Sequence, residues 1–171
     1  GINDWCEIDF NNEYANPLAY ATYLHFGQKT DHEGTYDIVI PDTVSKIGSY
    51  AFANFESLKS LTMTNNVNHL GEGAFYNCSR LERVILSENL IAIKNKTFYD
   101  CKNLKILSLG NKVETIGDYA FYNCKLLSDF RCSDSVQTIG EYAFNNCQLL
   151  QEIDLGNALT TIEGYAFLDC Y

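Results

Sequence analysis

Six phenylalanines recur at a constant interval of 23 residues: Phe52, Phe75, Phe98, Phe121, Phe144 and Phe167. A period this short constrains the fold more than any composition does, because one such unit cannot close a hydrophobic core and must stack on copies of itself. Ala precedes five of the six, with Thr97 in the remaining slot, and three positions further on stand Phe55, Cys78, Cys101, Cys124, Cys147 and Cys170. Other columns are as regular. Ile38, Leu61, Val84, Leu107, Phe130 and Ile153 form one, and Ile40, Met63, Leu86, Leu109, Cys132 and Leu155 form the next. Val44, Val67, Leu90, Val113, Val136 and Leu159 follow, then Ile47, Leu70, Ile93, Ile116, Ile139 and Ile162.

The periodicity changes within each unit. L-x-L alternation predicts a short half-buried strand, whereas Phe and Cys at i and i+3 predict one face of a single helical or 3₁₀ turn. Between them lies the column Asp42, Asn65, Glu88, Asn111, Asp134 and Asn157, five of which can bond their own neighbouring backbone as Asx corners. Gly48, Gly71, Gly117 and Gly140 suit a tight bend after the Ile, while Lys94 and Glu163 in the same column indicate that the bend needs no positive φ. Stacked units would set their strands about 4.8 Å apart in a parallel sheet.

The pattern L-x-x-L-x-L-x-x-x-V-x-x-I-G-x-x-A-F-x-x-C over residues 36–171 resembles the BspA-like class of bacterial leucine-rich repeats, also called the Treponema pallidum type. That resemblance implies an α/β repeat solenoid, with a parallel β-sheet on its concave face and short helical or 3₁₀ turns on its convex face. It also implies a protein of the cell surface or a secreted one, usually much longer than this chain, with adhesins and host-binding proteins among its relatives. In that family a Trp-Cys strand and an Asn-Pro-Leu segment with a short helix often precede the array, and here they are matched by Trp5-Cys6 and Asn16-Pro17-Leu18.

Residues 1–35 read as a lengthened first coil that acts as a cap, continuous with about six repeats over 36–171. Ile8 and Phe10 alternate like the strand pair Ile38 and Ile40. Asn16 suits an N-cap, Pro17 the first helical position and Gly27 a helix end, predicting a helix over roughly residues 17–26 that covers the first strand edge. A functional alternative has that helix present Tyr20, Tyr23 and His25 to a ligand. The chain starts without Met or a signal peptide and stops at Tyr171 with no polar capping unit, which reads as a fragment of a longer array. An open last coil exposes apolar surface and strand edges, predicting end-to-end self-association there.

Composition narrows the function. Twelve Lys and Arg against twenty-two Asp and Glu leave a formal charge of -10, so no basic field exists to bind nucleic acid, and no apolar run of 18 residues is present to insert in a membrane. Seven Cys at first suggest metal or redox chemistry. Five fall in one apolar column, where burial raises a thiol's pKa and makes it inert, and Cys132 replaces a strand Leu. Reduced thiols are expected. His25, His32 and His69 lie on unlike parts of the unit, and Asp31-His32-Glu33 reads as a solvated turn; no metal ligand set, cofactor motif or catalytic motif emerges.

A binding site, if the chain has one, belongs on side chains that alternate with the core pair. Asp37, Ser60, Arg83, Ile106, Asp129 and Glu152 form one exposed row, and Val39, Thr62, Ile85, Ser108, Arg131 and Asp154 the next. From these the candidate binding residues are Val39, Thr62, Arg83, Ile85, Ile106, Asp129, Arg131, Glu152 and Asp154. Val39, Ile85 and Ile106 make a mildly apolar first half, and Asp129, Glu152 and Asp154 around Arg131 an acidic second half. Three exposed residues per strand at about 3.3 Å, over six coils at about 4.8 Å, give roughly 290 Å² of projected face. A stable protein interface buries about 800 Å² per partner, so loops or further repeats would have to contribute. The expected function is a non-catalytic protein-binding or adhesion module with a host or extracellular protein as ligand. The alternative is an architectural spacer, and an enzyme is the least supported reading.

Overall fold

The structure is a computed structural model and describes residues 1–20 and 35–171. Each repeat forms one coil with a longer and a shorter strand: β1 (Tyr36–Val39) and β2 (Lys46–Ile47), β3 (Leu58–Thr62) and β4 (His69–Leu70), β5 (Arg83–Ile85) and β6 (Ala92–Ile93). The series continues with β7 (Ile106–Ser108) and β8 (Thr115–Ile116), β9 (Asp129–Arg131) and β10 (Thr138–Ile139), β11 (Glu152–Asp154) and β12 (Thr161–Ile162). All pairings are parallel, and the register joins equivalent columns: Asp37, Ser60, Arg83 and Ile106 face one another along the longer strands. The chain is thus a parallel-strand β-solenoid of about six turns.

The shorter strands form a second sheet that the V-x-x-I-G pattern did not announce, because two residues are too few to show a period. Ile47, Leu70, Ile93, Ile116 and Ile139 point from it into the core with almost no exposure. Between the two sheets run the Phe columns, whose rings stack face to face from Phe52 to Phe167 at centroid distances of 5.1 to 5.5 Å.

The Phe-x-x-Cys segment is not helical, and the α/β expectation gives way at this point. Among the described residues only α1 (Ile2–Cys6) and a 3₁₀ turn at Pro17–Ala19 are helical. In a helix every N–H bonds backward along its own chain. Here alternate groups do so: Ala51, Ala53 and Phe55 donate to Gly48, Tyr50 and Phe52 at 3.0 to 3.3 Å. Tyr50, Phe52 and Asn54 instead donate to Glu72, Ala74 and Tyr76 of the next coil at 2.7 to 2.9 Å. The alternation requires left-handed backbone twice per coil. One such position holds Asn54, Asn77, Asp100, Asn123, Asn146 and Asp169, residue types that adopt it readily. The other holds Tyr50, Gly73, Lys96, Tyr119, Tyr142 and Tyr165. A left-handed Tyr costs roughly 1–2 kcal/mol, and each stacked aromatic pair returns about 0.5–1.5 kcal/mol, so the two nearly cancel. The Tyr119, Tyr142 and Tyr165 rings do stack, at 5.0 Å.

Polar columns also bond across coils. Asn65 accepts from the Glu88 amide at 3.1 Å and Glu88 from the Asn111 amide at 2.9 Å, so the column expected to form local Asx corners bridges neighbouring turns instead. The reason is distance: once coils stack, the amide 23 residues on lies as close as the one two residues on. The cysteines follow suit. Cys78, Cys101, Cys124, Cys147 and Cys170 each donate Sγ–H to the Phe carbonyl of the preceding coil at 3.1 to 3.3 Å, and all seven thiols are free. Gly71 serves close approach, since a Cβ there would lie 2.3 Å from the Ser49 amide nitrogen of the coil before.

The N-terminal segment covers the first coil differently from the expectation. Trp5 and Cys6 lie in α1 and not in a strand, and Ile8 and Phe10 form no strand pair. Instead Gly48 donates to the Cys6 carbonyl at 2.6 Å, as Gly71 does to Ile47 at 2.8 Å, so a helix end stands where a preceding coil would. Buried Asn16 donates to the carbonyls of Tyr50 and Ala51 at 2.6 and 2.9 Å and caps the Pro17 turn by accepting from the Leu18 amide. The remainder of the expected helix, with Tyr23, His25 and Gly27, and the Asp31-His32-Glu33 turn lie outside the described residues.

Both sheets are interrupted once. The longer strands pair as β1-β3-β5-β7 and β9-β11, the shorter as β2-β4 and β6-β8-β10-β12. Each break coincides with a departure from the repeat: Lys94 follows β6 where Gly71 follows β4, and Phe130 in β9 and Cys132 just after it bring a larger and a smaller side chain to two apolar columns. Beside the break after β7, Leu107 and Leu109 are half-buried, whereas Leu61, Val84, Met63 and Leu86 in the same columns are buried.

Candidate functional site

The longer strands place the expected binding residues on one exposed face, because period-two alternation sends their neighbours Ile38, Leu61, Val84 and Phe130 inward. Val39, Thr62 and Ile85 share one row across β1, β3 and β5, and Arg83 and Ile106 are paired across β5 and β7. Asp129 faces Glu152 and Arg131 faces Asp154 across β9 and β11. The interruption after β7 separates these two groups, so the nine residues form two patches.

In the first group, Arg83 and Ile106 line a depression of about 300 Å³ together with Asp37, Lys59, Ser60, Glu82 and Lys105, and Val39, Thr62 and Ile85 do not line it. It adjoins a second of about 400 Å³ lined by Thr35, Lys59, Arg80, Glu82 and Asn103. Val39 and Ile106, at 55% and 52% exposure, supply apolar surface on the same face. Four of the chain's twelve Lys and Arg line these two depressions. Lys105 pairs with Glu82 at 3.4 Å, and the Ser60 hydroxyl donates to Asp37 at 2.5 Å. Neither Arg80 nor Arg83 has a carboxylate within ion-pair distance among the described residues, although both are exposed. The second patch, about 310 Å³, is lined by Phe130, Arg131, Glu152, Ile153 and Asp154.

Lys59, Arg80, Glu82 and Lys105 were not among the residues expected from sequence. They lie at or just before the start of the longer strands, where alternation no longer applies. Their signal was the 23-residue spacing of Lys59, Glu82 and Lys105, which alternates charge down one column.

A depression of about 550 Å³ on the second sheet, around Asn95, Thr115, Asp118, Thr138, Glu141 and Glu163, has a structural reading. Asn95 accepts from the Asp118 amide at 3.0 Å and Asp118 from the Glu141 amide at 2.9 Å, so these side chains tie coils together. Burial drives Cys101 and Cys124 well above the ordinary thiol range and takes Cys6 to about 12, with Cys132 at about 11. Among the described residues no group of three or more His, Cys, Asp or Glu is arranged to hold a metal ion, and no helix is long and apolar enough to cross a membrane. His69 lies exposed on β4, and His25 and His32 fall outside the described residues.

Comparison with known proteins agrees with this architecture. The family described as BspA type leucine rich repeat region matches residues 31–128 and 114–171, in six copies. A leucine-rich repeat protein from Bacteroides ovatus is 33% identical with a TM-score of 0.74, over 80% of this chain and 35% of that one. A leucine rich cell surface protein from Faecalibacterium prausnitzii is 32% identical with a TM-score of 0.67, over 69% of this chain and 31% of that one. The T. pallidum leucine rich repeat protein, 22% identical with a TM-score of 0.63 over 75% of this chain and 73% of that one, shares the fold. The chain spans about a third of the length of the first two. No curated protein sequence matches it.

Proposed function

Because this chain belongs to the BspA-type leucine-rich repeat family, we propose that it is a non-catalytic protein-binding module of a bacterial surface or secreted protein, with the exposed face of its longer strands as the binding surface. One observation carries the reading. On this face the columns cease to repeat, while buried columns stay apolar: Arg83 stands beside Ile106, and Arg131 beside Asp154, with Val39 and Ile106 left open to solvent. Internal packing explains none of these choices.

The test is selection of peptides from a random library on the intact chain, followed by transfer of the binders to a variant carrying Ile85→Asp and Arg131→Glu. Loss of binding with an unchanged melting curve supports the face as the site. Binders that hold the variant equally well would refute it, and an absence of binders to any face would favour a spacer.

A second contact is proposed at the last coil, where Ile153, Ile162 and Leu168 are exposed, as a site of end-to-end self-association. Sedimentation of the chain should show a concentration-dependent dimer that Ile162→Lys abolishes.

A further inference from the structure

Resting on the binding face proposed above, we infer that the part of that face over β3, β5 and β7 docks an extended acidic segment of a protein partner, with Arg80 and Arg83 as its anion-recognising groups. The chain carries a net charge of -10. Yet Arg80, Arg83 and Lys105 gather, with Lys59, around two contiguous depressions whose lining carboxylates are Asp37 and Glu82. Both carboxylates are already engaged, Asp37 by Ser60 and Glu82 by Lys105. That leaves two guanidinium groups, the side chains best suited to bidentate carboxylate recognition, unpaired among the described residues.

The field of the whole molecule does not cancel this patch. At physiological salt the Debye length is about 8 Å, so an acidic segment lying in the depressions is governed by the charges that line them. The opposite end of the face has the reverse sign, with Asp129, Glu152 and Asp154 outnumbering Arg131. The face is therefore polar along the solenoid axis, and it repels a segment that is acidic throughout from its far end. Three coils at about 4.8 Å give the basic half a span of roughly 14 Å, matched by about four extended residues at about 3.4 Å each. Ile106 adds apolar surface in the same depression as Arg83 and Lys105, so acidic residues interspersed with aliphatic ones fit better than acids alone.

The experiment uses the full chain and two fluorescein-labelled probes, a decamer of glutamate and a decamer of lysine, followed by fluorescence anisotropy at several salt concentrations. The glutamate decamer should bind with an affinity that falls as salt rises, and R80A/R83A should weaken it at least tenfold with no change in the melting curve. Removing the acidic end with E152A/D154A should leave binding of the glutamate decamer equal or tighter. No binding of the glutamate decamer, or equal binding by R80A/R83A, would overturn the inference. In that event the library selection still decides whether the face binds peptides, and face-dependent binders without acidic enrichment would leave the broader reading standing.

Discussion

Ile38 in the first coil and Ile153 in the last occupy the same column, yet one is 1% exposed and the other 39%. Ile47 and Ile162 differ similarly, at 0% and 47%. Their own coils are built alike; the difference lies in what stands on the outer side. Residues 1–20 lie against the first coil, with the Trp5 indole and the Asn16 amide both donating to the Ala51 carbonyl, whereas among the described residues the last coil has no such cover and Ile153, Ile162 and Leu168 are exposed. Burial in a solenoid is a property of the neighbour, so one repeated residue can be core, half-core or surface.

Five substitutions sharpen or break that contrast. The largest effect is expected for Phe98→Ala, which removes a ring stacked on both sides and should cost about 3–5 kcal/mol in urea denaturation. Phe167→Ala, in the same column but stacked on one side, should cost about 1 kcal/mol. Equal losses would mean that burial by a neighbour is not what stabilises a coil.

Next comes the cover itself. Asn16→Ala removes one of two donors from each of the Tyr50 and Ala51 carbonyls, which keep the Ala53 amide and the Trp5 indole, and it removes the cap of the Pro17 turn, for an expected loss of about 2 kcal/mol. A neutral result would show that α1 alone suffices to cover the first coil.

Alkaline pH provides a third probe. Burial raises the Cys101 and Cys124 thiols above their unfolded value, so the folded state keeps its protons longer. Their contribution is complete below about pH 9 and is lost as pH rises from there toward the folded values, at about 1.4 kcal/mol per pH unit for each thiol. Denaturation midpoints should fall steeply above pH 9, and Cys124→Ala should flatten the slope. Half-buried Cys170 should also react with iodoacetamide faster than Cys124 in the folded chain. Uniform reactivity would contradict the contrast between interior and last coil.

The smallest change is expected for Tyr99→Phe. Tyr99 stacks between Tyr76 and Tyr122 at 4.8 and 4.7 Å, and the substitution keeps the ring, so stability should move by less than about 0.5 kcal/mol. A larger loss, seen by thermal denaturation, would assign the hydroxyl a structural partner.

The period alone was enough to identify the repeat, the inward columns and the strand face, because side chains at equal positions in stacked units meet by translation. Phe52 through Phe167 needed no structure to be recognised as one stack, nor did Arg83 and Ile106 to be placed on one row. The sequence did not carry the destination of each hydrogen bond. The Cys124 thiol goes to Phe98, and the Tyr50, Phe52 and Asn54 amides go to the next coil, which turns an expected helical segment into a left- and right-handed alternation. Those partners lie more than twenty residues away, and no local propensity weighs them. Tertiary stacking also made the second sheet, and it drew Arg80 and Lys105 to the edge of the face that Arg83 shares with Ile106. Translation of a unit determines which residues are neighbours, but only the spacing and tilt of the packed coils decide which atoms come within bonding distance.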